Sequence, residues 1–228
     1  MAQEKTLQDA IESLKSIQDE ITKSLYETLI MMGISTTAAV LFGGAFGVFL
    51  FLSSDKQLFA NKPLYAVLGG FTNFMRAFPF IILMIAMGGI TKFIVGTKIG
   101  PVAASLVLAT AGSFYFARLV EQNLRDVPRG IIEAVDSMGA SPLTIIGVLL
   151  GEARSSLVLS VTILCISLLS YSAAAGMIGG GGLGDLAVRY GYMRSRTEIT
   201  VFVVIVLSII VIFIQALGNA LAKKLDKR

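Results

Sequence analysis

Long apolar runs alternate with short charged ones along the whole chain, and the runs are too long for strands or for the core helices of a small soluble domain. Five of them, at residues 28–52, 64–90, 99–117, 155–178 and 199–222, reach the ~20 helical residues needed to cross a hydrocarbon core of ~30 Å. Four carry no charged side chain, whereas the run at 64–90 contains Arg76, followed by Pro79. An arginine at that depth costs ~2.5–3.5 kcal/mol on insertion scales. Arg76 therefore either snorkels to the polar face or meets a water-filled path. Upstream, residues 1–25 are polar, with Leu7, Ile11, Leu14, Ile21 and Leu25 at helical spacing, which predicts an interfacial amphipathic helix leading into the first span.

Composition agrees with the pattern. Of 228 residues 55% are apolar and 15% charged, and the mean hydropathy is +0.79. The fold class this predicts is all-α, a polytopic integral membrane protein with five transmembrane helices. A formal charge of +4 does not point to nucleic acid, because the basic residues are scattered between the spans. With no histidine, and with the single cysteine, Cys165, in mid-span, neither a metal site, a cofactor nor a disulfide is expected. In the first span Ala39, Gly43 and Gly47 recur every four residues, a small-residue ladder that permits close helix approach, within the chain or to a second copy.

Five spans put the two termini on opposite sides. The tail at 223–228, the 52–64 loop and the long loop at 118–154 share one side, and Lys and Arg are slightly in excess there. By the positive-inside rule this places the C-terminus and the long loop in the cytoplasm and the N-terminus outside. No carboxylate is expected inside a span apart from Glu27 and Glu198 at the edges, so an ion-coupling relay is missing. "GGGGLGDL" has glycines but no lysine, so a nucleotide-binding phosphate loop is missing too. If the chain moves a solute, a partner must supply the energy.

The long loop carries its own helix punctuation. "DVPRGIIEAVDSMG" predicts a short helix with Asp126 as cap, Pro128 in the first turn and Gly139 at the end. Ile131, Ile132, Val135 and Met138 form one stripe, with Arg129, Glu133 and Asp136 opposite. A second short helix starts at once, with Ser141 as cap and Pro142 in its first position, and runs to Gly151. Such a pair can rest on lipid or receive a protein.

"EAVDSMGA" resembles the EAA loop of ABC-transporter permeases, a pattern of Glu-Ala-Ala, three residues and Gly. Glu133, Ala134 and Gly139 match it, Val135 replaces the second alanine, and Gly151 stands where that family has proline. "MRAFPFIILM", "IVGTKIGPVAAS", "FARLVEQNL" and "YSAAAGMIGGGGLGDLAVRYGY" are similar to the permease subunit of methionine importers, so the resemblance covers nearly the whole chain.

The resemblance implies a type I ABC importer permease in the bacterial inner membrane, with the permease domain at 26–222. It implies a pairing with a second copy, and docking on a cytoplasmic ATPase dimer through Glu133, Ala134, Asp136, Gly139, Ser141 and Pro142. An extracytoplasmic binding protein would deliver methionine, and the chain would not itself be an enzyme. Tyr171, Ser172, Met177, Gly181 and Gly182 are then the expected pathway or gate residues, at the outer mouth. A permease for another small solute, such as a polar amino acid, and a non-transporting membrane scaffold are the alternatives at this point.

Overall fold

The computed structural model describes residues 12–55 and 57–226, and every regular element among them is helical. The expected amphipathic positions Leu7 and Ile11, and the last two tail residues, lie outside the described residues. A short turn at Ser16 and Ile17 leads into α1, Gln18–Ala38, which continues through one π-helical turn, Ala39–Gly43, into α2, Gly44–Ser53. The helix is thus 36 residues long, or about 54 Å. It begins well before the apolar run that predicted it.

Next come α3, Lys62–Ala77, α4, Phe80–Ala86, and α5, Gly88–Val95. Residues 64–90, expected as one span, are therefore broken, with a bend of 102° between α3 and α4. The cause is local. Pro79 has no N–H to donate and forces the residue before it out of helical geometry; Phe78 accordingly has ψ 130°.

The long helix α6, Pro101–Arg125, runs past residue 117, where the apolar run ends. Its last two turns, expected in the loop, carry Arg118, Glu121 and Arg125 at spacings that let opposite charges meet on one face. Glu121 is 3% exposed, so the expectation that no carboxylate lies inside a long apolar helix is corrected here.

Two short helices, α7 at Arg129–Ser137 and α8 at Pro142–Glu152, precede α9, Arg154–Gly176. The C-terminal part consists of the one-turn α10, Gly182–Leu186, a π-helical turn at Ala187–Tyr192, and α11, Thr197–Leu225. Among the described residues four helices are long and apolar enough to cross a membrane, and the bent α3–α4 pair makes up to five spans. On α11, Val204, Ile205, Ile209, Ile212 and Phe213 are exposed. In water such a surface would aggregate; in a bilayer it is what faces hydrocarbon or a neighbouring helix.

The chain forms two compact units. One comprises Met1–Ser35, Pro79–Ala109 and Ile166–Phe213, and its core gathers Ile17, Leu183, Leu186, Ile199 and Val203. The other comprises Thr36–Phe78, Thr110–Cys165 and Ile214–Arg228. In this second unit the small-residue ladder works inside the chain. A Cβ at Gly43 would lie 2.5 Å from the Ser113 carbonyl oxygen, and one at Gly47 2.5 Å from that of Ala117. Only glycine lets the backbones come this close.

Candidate functional site

The α7–α8 hairpin belongs to the second unit. No side chain caps α7: its flanking residue is Pro128, whose φ of −57° suits the first turn, and Asp126 does not take the expected capping role. The helix stops at Gly139, whose φ of +74° is the left-handed conformation favoured after a helix end. The Ser141 hydroxyl accepts the Thr144 N–H at 3.3 Å, with Pro142 in the first position, as expected. Helix α8 passes through Gly151 and ends at Ala153, so a glycine in place of proline leaves the last turn intact.

Packing separates the hairpin's two faces. Ile145 and Leu149 are buried, and Ile131, Ile132 and Val135 are half-buried. Glu133, Ala134, Asp136, Gly139, Ser141 and Pro142 are all exposed. Met138, expected in the inward stripe, is instead 76% exposed, and Leu143 is 80% exposed. Both flank the tight turn, where no neighbouring turn of helix covers them.

The hairpin is held firmly at its exit. Arg154 Nε donates to the Leu225 carbonyl at 2.8 Å, and the Ser155 hydroxyl donates to that of Ala222 at 3.0 Å. These bonds satisfy terminal carbonyls of α11 and place a cation at the negative end of its dipole.

The glycine segment belongs to the first unit. Gly179, Gly181 and Gly182 have φ of 89°, 78° and 80°, so the chain there turns in a way side-chain-bearing residues resist. Its close neighbour is intrachain. A Glu27 carboxylate oxygen accepts the Gly182 N–H at 2.7 Å, and the Thr28 hydroxyl oxygen accepts the Leu183 N–H at 2.9 Å. Two otherwise unpaired amides at the start of α10 are thereby satisfied.

Of the other residues expected at the mouth, Tyr171 stacks on Phe80, with ring centres 5.1 Å apart and planes 6° from parallel. Ser172 is buried and donates to the Leu169 carbonyl at 2.8 Å. Met177 is 60% exposed.

Sequence reasoning missed a polar cluster in the second unit. The Glu121 carboxylate accepts from the Tyr65 hydroxyl at 2.8 Å, from Arg125 at 2.8 Å, and from Arg118. Arg118 also donates to the Gly69 carbonyl at 2.7 Å. The i, i+3 and i+4 spacing of opposite charges was visible in the sequence, but the partners on α3 were not.

These features define a multi-pass helical membrane protein with an exposed pair of short helices. The chain belongs to the family of binding-protein-dependent transport system inner membrane components, whose pattern matches residues 39–228. It is 43% identical over 211 residues to the probable D-methionine transport system permease protein MetI of Vibrio cholerae, covering 92% of this chain and 94% of that one. Against the methionine import system permease protein MetP of Bacillus subtilis the identity is 41% over 210 residues, covering 92% and 95%. Among solved structures, an inward-facing MetNI methionine ABC transporter matches with a TM-score of 0.91 at 36% identity, covering 93% of this chain and 99% of that chain.

Proposed function

We propose that this chain is the permease subunit of an ATP-driven methionine importer, pairing with a second copy and docking a cytoplasmic ATPase dimer through the α7–α8 hairpin. The observation that carries the reading is the hairpin's division of faces. Ile145 and Leu149 anchor it, while Glu133, Ala134, Asp136, Met138 and Leu143 are offered to solvent. Exposed apolar side chains next to charges, on helices bounded by the Ser141 cap and a left-handed glycine, suit protein–protein docking better than a lipid surface does. The methionine named for its relatives supports the substrate.

In this reading ATP hydrolysis belongs to the ATPase, and this subunit contributes two arrangements that bind the ATPase's states differently. The excess of basic residues beside the hairpin and tail supports a cytoplasmic C-terminus and an N-terminus outside. The glycine segment then lies on the outer side with Tyr171, Ser172 and Met177, where a binding protein delivers methionine. Residues 26–222 serve as the permease domain.

Expression of the full chain with a tagged ATPase partner tests the reading. The two should co-purify in mild detergent and, with a methionine-binding protein, take up methionine in vesicles with ATP. Assembly without uptake would favour a scaffold, and uptake competed by a polar amino acid but not by methionine would move the substrate.

A further inference from the structure

Helices α3 and α6 flank an open polar recess of about 440 Å³ within the second unit, and its lining includes Tyr65, Asn73, Arg76, Arg118, Glu121 and Arg125. Three guanidinium groups thus face one carboxylate, and no other Asp or Glu lines the space. Glu121 already serves Tyr65, Arg118 and Arg125. Two donors are left over. Arg118 Nε is buried without a hydrogen-bond partner. Arg76, among the described residues, has only the Tyr115 ring, 5.7 Å from its guanidinium carbon.

We infer that this recess binds the phosphate of an anionic phospholipid. Surplus guanidinium N–H groups in fixed positions call for a ligand with several charged acceptor oxygens, which a phosphodiester supplies. The volume suits a headgroup rather than a bare ion. The source of the phosphate follows from where the recess lies. Helix α6 is long and apolar enough to cross a membrane, and α3 belongs to the bent pair that passes the same test, so the recess opens between helices of the bilayer, where a phosphate comes with acyl chains. Basic pockets between membrane helices hold anionic headgroups in this manner. Of the three arginines that line the recess, Arg76 is the one with no ion pair to Glu121.

The test uses the full chain, purified in detergent, stripped of lipid, and titrated separately with phosphatidylglycerol, with phosphatidylcholine of the same acyl chains, and with inorganic phosphate. Thermal unfolding is the readout. Phosphatidylglycerol should raise the midpoint of the wild type well above phosphatidylcholine. In Arg76→Gln the apparent affinity for it should fall about tenfold, with partial recovery in Arg76→Lys. Equal responses to the two lipids in the wild type would overturn the inference without any variant. So would an unchanged phosphatidylglycerol response in Arg76→Gln, or an inorganic phosphate shift as large as that of phosphatidylglycerol. None of these outcomes depends on transport, so failure here leaves the proposed function standing.

Discussion

The Glu27 carboxylate accepts the backbone N–H of Gly182, 155 residues away, at 2.7 Å, and thereby fastens α1 to the start of α10. Beside it the Thr28 hydroxyl oxygen takes the Leu183 N–H. Glu27→Ala removes a charge-assisted acceptor from a part-buried amide and should lower stability by about 1.5–3 kcal/mol. Gly181→Ala should also destabilise, because its φ is +78° and the new Cβ would stand 2.5 Å from Glu27 Oε2. Thermal unfolding of the purified chain in detergent checks both. Wild-type midpoints would remove the fastening role.

Glu121 is the hub of the α3–α6 contact, and its removal strands two arginines. Glu121→Ala should destabilise by about 3–5 kcal/mol, as expected when one member of a buried ion pair is deleted. Tyr65→Phe should cost less, about 1.5–3 kcal/mol, since it loses the hydroxyl's bond to Glu121 and those it accepts from Arg118 and Arg125 but keeps the ring under Arg125. The check is a denaturant series on both variants; a larger loss in Tyr65→Phe than in Glu121→Ala would contradict the hub assignment.

Gly47→Val should disrupt the contact between α2 and α6, because its Cβ would meet the Ala117 carbonyl oxygen at 2.5 Å and Val120 Cβ at 2.7 Å. Gly33→Ala is the control, with nothing within 4 Å of the added carbon. Membrane-inserted yield should fall for the first and hold for the second. Equal yields would mean that the ladder is dispensable.

What could be read from the sequence divides along a physical line. Local signals were legible: the Ser141 cap with Pro142, the stop at Gly139 and the small-residue ladder each depend on neighbours within a turn or two, or on a period. Helix α6 was read too short because its apolar run ends at Ala117, yet charges that neutralise one another on one face let it continue to Arg125. Residues 64–90 were read as one span because their apolar run is continuous, although Pro79 within it lacks an N–H and bars helical geometry at Phe78. The fastening of Glu27 to Gly182 had no sequence signal, since a carboxylate at the edge of a run reveals nothing of a partner 155 residues on.

The hairpin's exposed face carries the coupling claim. Glu133→Ala and Met138→Ser should weaken co-purification of the ATPase while leaving the chain folded, because Glu133 is exposed and Met138 is 76% exposed. A pull-down with unfolding curves on the same samples separates docking from folding. Unchanged docking in both variants would move the interface elsewhere.

The most direct measurement is uptake of labelled methionine into proteoliposomes containing the full chain with its ATPase and binding protein. The account predicts uptake that requires ATP, is competed by unlabelled methionine, and persists when the proton gradient is collapsed with ATP held constant. Uptake by this chain alone, driven by an ion gradient, would contradict it.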